Sequence, residues 1–209
     1  MRKLIAWNVA SLDGYFEGGS AFDLSFHQTI WGPELEAFSE EQLQDMDGLL
    51  FGRKTYDGMS AYWQSEAEPG QIADFMNALP KYVASTTLTS ATWNNTTVLA
   101  GDLPAEIKDL KSRDGKDLYV FGSADLLATL LRHKLVDEYR IGLAPIVLGG
   151  GSPLFKSASQ PLNLRLLEAR TLGTGGDRQR PPRLRVGRFT QSGNREHAGR
   201  PPPRPRRAA

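Results

Sequence analysis

The sequence predicts an α/β domain with a largely parallel sheet. Short apolar, β-branched runs alternate along the chain with segments of helical spacing, which is the pattern of successive βαβ units. Residues 117–155, DLYVFGSADLLATLLRHKLVDEYRIGLAPIVLGGGSPLF, show the unit in full: strand, glycine turn, helix, strand, glycine-rich loop. Residues 118–121 are an apolar strand run, Gly122-Ser123 breaks it, and Leu126, Leu127, Leu130 and Leu131 then recur at helical spacing. A strand that delivers a glycine turn to a helix N-terminus points free N–H groups and a partial positive charge at one spot. That arrangement binds phosphate.

The other elements follow in order. Residues 3–10 read as a strand, with Ser11-Leu12-Asp13-Gly14 as the turn after it. Residues 16–31 form a loop with two glycines and scattered aromatics. Residues 33–46 read as a helix: Pro33 suits the first turn, acids crowd the start, and Leu35, Phe38, Leu43 and Met46 are apolar. Residues 48–51 are a short buried strand, and Gly52-Arg53-Lys54-Thr55-Tyr56 opens a helix. Residues 72–79 are helical and stopped by Pro80. Strands follow at 81–85 and 94–99, then a helix at 104–111 with Ile107 and Leu110 inward. Residues 138–148 are apolar and β-branched again, and 162–172 read as a late strand.

A chain of 209 residues fits one domain plus extras and can bury a sizeable core. It has no Cys, which excludes disulfides, a catalytic thiol and Cys-ligated metal sites. No run approaches the roughly 18 apolar residues of a membrane helix, and the N-terminus reads as a first strand, so a soluble cytoplasmic protein is expected. The net charge of +1 hides an asymmetry: residues 177–209 carry +8 and the rest −7. Six of the thirteen prolines also fall in that tail. The expected organisation is therefore a domain at 1–176 and an Arg/Pro-rich, largely disordered tail at 177–209.

Three strand-to-turn sites are candidates for chemistry. At the first, Gly52 permits close approach of a ligand, Arg53 and Lys54 supply charge, and the Thr55 hydroxyl and the helix start supply donors; Gly52 read as a plain loop glycine is the alternative. At the second, Ser85 and Thr86 either bind phosphate or cap a turn. At the third, Gly122, Ser123 and Ala124 open a helix as a phosphate turn or as an ordinary N-cap. Three such sites in one α/β domain carry more weight than any one, because ligands gather at the carboxyl ends of parallel strands. There is no GxGxxG fingerprint and no P-loop. His27, His133 and His197 show no metal spacing, and no metal site is read.

Taken together and in order, SLDG (11–14), FGRKTY (51–56), a strand ending in Ser-Thr (85–86), VFGSADL (120–126) and VDEYRIGLAPIVLGGGSPLF (136–155) resemble the dihydrofolate-reductase-like family. Within it they are most similar to bacterial proteins like the reductase domain of the bifunctional riboflavin-biosynthesis deaminase/reductase. The resemblance covers roughly residues 1–172. It implies a mostly parallel central sheet flanked by helices, with NADPH across the strand ends. It implies that Gly52, Arg53 and Thr55 form a phosphate-binding turn, Arg53 being the natural partner of a 2′-phosphate. It places Ser85 and Thr86 beside the adenosine phosphate, and Gly122, Ser123, Ala124 and Asp125 at the pyrophosphate turn. Asn8 and Asp13 fall where nicotinamide and substrate meet, although Asp13 is equally a turn residue before Gly14. Glu34 and Glu36 lie on the helix whose carboxylate holds the pterin in dihydrofolate reductases, or are solvated. Trp7, Trp31, Tyr15 and Phe16 stack on a flat ring or serve as core or lid.

The resemblance implies an NADPH-dependent reductase of a small heterocycle, of pterin or ribosylamino-pyrimidine type, and a homodimer. The alternatives are a nucleotide-binding module without catalysis, and a nucleic-acid-associated protein using the basic tail, although an unselected, disordered end accounts for the tail better. Family members usually close the sheet with a hydrophobic strand soon after the equivalent of Leu172. Here the sequence turns Arg- and Pro-rich at that point, as a shifted reading frame or a replaced end would, with residues 183–190 as a partial substitute at the sheet edge. An apolar strand encoded in an alternative genomic frame beyond Gly175 is the expected finding; none in either frame refutes the shift.

Overall fold

A computed structural model describes residues 1–156, 161–173 and 183–191. The central strand is β1 (Leu4–Ser11), buried at every position. It shows no polar alternation because helices cover both faces of the sheet, as parallel sheets require. Its side chains still alternate in direction. Ile5, Trp7 and Val9 face one apolar cluster; Leu4, Ala6 and Ala10 face the other.

Around β1 lie β3 (Met46–Gly52), β4 (Lys81–Ala84), β5 (Thr96–Leu99), β6 (Asp117–Phe121), β7 (Glu138–Ala144), β9 (Leu164–Gly173) and β10 (Arg183–Gln191). The sheet order is β5-β4-β3-β6-β1-β7-β10-β9. All pairs from β5 to β7 are parallel, and β10 pairs antiparallel with both β7 and β9. On one face α1 (Pro33–Leu43), α2 (Arg53–Ala61) and α3 (Gln71–Ala78) contribute Phe38, Tyr56 and Met76. On the other, α4 (Leu103–Ser112) and α5 (Ala124–Arg132) contribute Ile107, Leu110, Leu126, Leu127 and Leu130. Asp102 starts α4 by accepting from the Ala105 N–H at 3.2 Å, as an N-cap should. This is the expected architecture, a mostly parallel sheet flanked by helices.

Apart from shifts of one or two residues at element ends, the structure differs from the sequence expectation in four places. The helix expected at 33–46 ends at Leu43. The Asp45 carbonyl already accepts from Asp117 N–H at 3.0 Å, so Met46 enters the sheet as a buried strand residue. The strand expected at 138–148 ends at Ala144, because Pro145 has no N–H to continue the ladder. The loop at 16–31 is more structured than expected. β2 (Tyr15–Glu17) pairs with β8 (Ser152–Pro153), and a 3₁₀ turn at Ser25–Thr29 buries Phe26.

The fourth difference is a correction. Residues 183–190 do not lie at the sheet edge; β10 is interior, between β7 and β9, and β9 is the edge. Hydrophobicity does not explain this position, although Val186 is buried. Charge pairing does. Arg188 donates to Glu138 at 2.7 Å and to Glu168 at 3.0 Å. Arg140 donates to Glu138 at 2.8 Å, to the Tyr119 hydroxyl at 2.7 Å and to Gln42 at 3.1 Å. The sheet thus continues past residue 176. This corrects the expectation of a largely disordered tail at 177–209, since residues 183–191 of it form an ordered strand; the rest of that tail, 177–182 and 192–209, and the nucleic-acid association considered for it lie outside the described residues.

Burial pushes the Glu138 carboxyl up, but the Arg188 and Arg140 guanidiniums outweigh it and hold it below its ordinary value. The stability this cluster supplies is complete above the unfolded carboxyl value of 4.5 and is lost as pH falls through the lower folded value. Glu138→Ala leaves Arg140 buried without its partner and should cost about 3–5 kcal/mol in urea unfolding at neutral pH. The deficit should shrink below pH 4.5. An unchanged midpoint would show that the cluster does not hold β10.

Candidate functional site

The carboxyl ends of β1, β3 and β6 lie side by side because the three strands are parallel neighbours. The loops leaving them frame a cleft of about 1910 Å³. At its floor, Asn8 of β1 is only 7 % exposed, and its Oδ1 accepts the Gly122 N–H at 2.7 Å. Asn8 Nδ2 is buried without a hydrogen-bond partner among the described residues.

Gly122 has φ +58°, and a Cβ there would lie 3.3 Å from both Phe16 and Thr55, so conformation and space both select glycine. Ser123 follows in the left-handed region at φ +57°. It precedes α5 but does not cap it; its hydroxyl bonds the Thr55 hydroxyl on α2 at 2.8 Å. Gly52 precedes α2, also without a side-chain cap, and a Cβ there would lie 2.9 Å from Ser123 Cβ and overlap its hydroxyl. Two helix starts are thereby locked together, each with its first N–H groups uncapped and facing one cleft. Such a pair has the backbone geometry and dipole that suit an anion.

The charged groups around it are only partly committed. Asp57 takes the Nε of Arg53, at 2.9 and 2.8 Å, while the terminal guanidinium nitrogens bond no described residue. Lys54 lines the cleft, and Lys156 reaches across to Asp125.

Among the residues expected from sequence, Asn8, Gly52, Arg53, Thr55, Gly122, Ser123, Ala124 and Asp125 all line this cleft. Asp13, Ser85 and Thr86 do not. Asp13 is a structural anchor. It accepts from the Ser11 hydroxyl at 2.6 Å and from the Leu148 and Gly149 N–H groups at 3.1 and 2.8 Å, fixing the glycine loop after β7. The Ser11 hydroxyl, ahead of the opposing effect of desolvation, and those two amides hold its carboxyl below the ordinary range. The Ser85 hydroxyl accepts from the Thr87 and Leu88 N–H groups at 3.2 and 3.0 Å, which is the turn-capping alternative, and Thr86 is exposed. Glu34 is spent on the Gly173 N–H at 2.6 Å, whereas Glu36 lines the cleft. Trp7, Phe16 and Trp31 line it and Tyr15 does not.

Among the lining residues that the sequence did not single out are His27, which has no metal spacing, and Trp63, for which no reading was made; the folding of the 16–31 loop against α2 brings them to the cleft.

Sheet order, antiparallel last strands and a ligand cleft at the parallel strand ends define a dihydrofolate-reductase-like α/β domain. Residues 2–176 match the family model of the RibD C-terminal domain, and the chain belongs to that family. It is 30% identical over 177 residues to the uncharacterized protein YyaP of Bacillus subtilis (strain 168), covering 83% of this chain and 91% of that one. To the uncharacterized protein YwjB of the same organism it is 26% identical over 178 residues, covering 82% and 93%. Among solved structures it resembles a Shewanella sp. PV-4 protein named for riboflavin biosynthesis, with TM-score 0.72, 22% identity and coverage of 91% and 99%. It also resembles dihydrofolate reductase from Enterococcus faecalis complexed with NADP(H) and RAB-propyl, with TM-score 0.62, 12% identity and coverage of 90% and 96%. At those identities both structures speak for the fold alone.

Gly52→Ala should force the two turns apart, lowering stability by about 1–3 kcal/mol through overpacking against Ser123. A thermal melt reads the loss; an unaltered melting temperature would show that the turns are not locked.

Proposed function

We propose that the protein is an NADPH-dependent reductase of a small heterocycle, of riboflavin-pathway pyrimidine or pterin type. One observation carries the reading: two uncapped helix starts, joined through Thr55 and Ser123, open onto the cleft whose floor holds Asn8 Nδ2, buried and without a partner among the described residues. The residues present suit a dinucleotide. The backbone N–H groups at the starts of α2 and α5 would hold its pyrophosphate, Arg53 its 2′-phosphate, and Asn8 Nδ2 a carbonyl acceptor at the nicotinamide end. When bound, the cofactor supplies a hydride. The chain's own part is binding and orientation: Asn8 fixes the Gly122 turn with one atom and offers a donor with the other, while Trp7 and Phe16 add apolar wall to the cleft. The NADP(H) complex of the Enterococcus dihydrofolate reductase, a protein of the same fold, supports the cofactor assignment.

A cytoplasmic location and a homodimer belong to the same proposal. The edge strand β9 exposes Leu164, Leu166 and Leu167, a surface suited to a second copy.

A second reading, a nucleotide-binding module without catalysis, is favoured by one observation: Asp13, expected to take part in the chemistry, is committed to the loop after β7. NADPH binding with no oxidation in the presence of pterins or aminopyrimidines would decide for the module.

Fluorescence titration of NADPH and NADH against the wild type and Arg53→Ala tests the cofactor. NADPH should bind more tightly than NADH. The substitution should weaken NADPH by about tenfold, or about 1.4 kcal/mol, and leave NADH nearly unchanged. Absence of binding by either nucleotide would overturn the reading.

A further inference from the structure

Four buried side-chain polar atoms have no hydrogen-bond partner among the described residues: Asn8 Nδ2, His27 Nε2, Trp63 Nε1 and Glu106 Oε2. Three of the four belong to residues lining one cleft. Leaving a buried donor or acceptor unpaired costs about 1–3 kcal/mol, so native folds rarely tolerate several in one place. Such groups concentrate where the missing partner arrives with a ligand. Asn8 is accounted for by the cofactor reading. His27 and Trp63 are not.

Both sit away from the phosphate-binding turns. His27 lies in the 3₁₀ turn Ser25–Thr29, its ring edge-on to Phe26 at 4.6 Å. Trp63 lies in the π-helical turn Tyr62–Glu66 that ends α2, at the opposite end from Gly52. The two segments are held together, since the loop carrying His27 packs so closely on α2 that a Cβ at Gly58 would overlap the Phe22 ring. π-helical turns cost regular hydrogen bonding and recur at functional sites. Burial pushes the His27 imidazole down to about 4, so it is neutral at physiological pH, with one donor and one acceptor nitrogen. Trp63 can only donate. The same region of the cleft wall carries Trp31 and Tyr62, which are 49 % and 41 % exposed. Large aromatic faces left open beside unpaired polar atoms suit a flat ring that stacks and is read along its edge.

We propose that His27 and Trp63 are the substrate-specifying pair of this cleft: the Trp63 indole N–H donates to a ring carbonyl or ring nitrogen, His27 Nε2 bonds a second polar atom of the same edge, and the pair selects a neutral, lactam-bearing planar heterocycle over an apolar ring or an anion. This assignment rests on the reductase reading for its place in a reaction, though not for its geometry. A site built to pair with such atoms discriminates strongly, because an analogue lacking them leaves the buried groups of the protein unsatisfied.

The test is a titration of the full ¹⁵N-labelled chain with lumazine, a planar heterocycle with two ring carbonyls, with and without saturating NADP⁺. The four tryptophans give four indole N–H signals, and Trp63→Phe identifies that of Trp63 while keeping a ring in its place. Lumazine should move the Trp63 signal downfield in the wild type. Trp63→Phe and His27→Phe should each weaken lumazine binding by about tenfold, a change of about 1.4 kcal/mol. Both should leave NADP⁺ affinity within about twofold, a change of less than about 0.5 kcal/mol. Failure of lumazine to bind, an unmoved Trp63 signal, or equal affinity in both variants overturns the assignment. Lumazine binding with the Trp63 shift but no NADP⁺ binding sinks the reductase reading and leaves the pair standing; NADP⁺ binding without lumazine binding does the reverse.

Discussion

The cleft depends on one buried hydrogen bond, from the Gly122 N–H to Asn8 Oδ1 at 2.7 Å, which joins residues 114 apart in sequence. Asn8 stands on the most buried strand of the sheet, so its position is set by the core. The bond fixes the chain where β6 must turn sharply into α5, with Gly122 and Ser123 both at positive φ. Left-handed backbone at a non-glycine residue is held only where its surroundings over-determine it. Here the Thr55 hydroxyl supplies the second constraint on Ser123, and through it α2 is tied to α5. Without the asparagine, the glycine turn would lose its tie to the central strand and be held only through Ser123 and Thr55.

This arrangement also explains how much of the site was legible in the sequence. The phosphate-type turns were readable because their signals are local: glycine after an apolar run, then helical spacing, at 51–56 and 120–126. Their convergence follows from parallel topology, which alternating elements already imply. The roles of Asp13 and Ser85 were not readable. A carboxylate or hydroxyl after a strand looks the same whether it faces a ligand or caps a turn, and only the pairing of Asp13 with Leu148 and Gly149 separates the two. His27 and Trp63 were invisible for a different reason. Among the described residues their buried nitrogens have no hydrogen-bond partner, and a sequence does not show which buried atoms go unpaired.

The C-terminal end shows the limit of compositional reasoning. Arg183–Gln191 is rich in arginine, and by hydrophobicity it reads as a weak edge strand at best. It lies in the sheet interior because Glu138 and Glu168 face it, with Glu138 buried beside Arg140. A buried cluster of this kind contributes little net stability compared with apolar packing, but it penalises any register that leaves a charge alone. Charge pattern thus does for β10 what an apolar stripe does for β1. The ordinary cues of strand prediction do not count it.

A co-crystal structure with NADP⁺ would locate the dinucleotide. Its pyrophosphate is expected at the joined starts of α2 and α5, its 2′-phosphate at Arg53, and its nicotinamide amide against Asn8 Nδ2. A dinucleotide bound elsewhere, or bound in this cleft with its phosphates away from both helix starts, would contradict the cofactor reading.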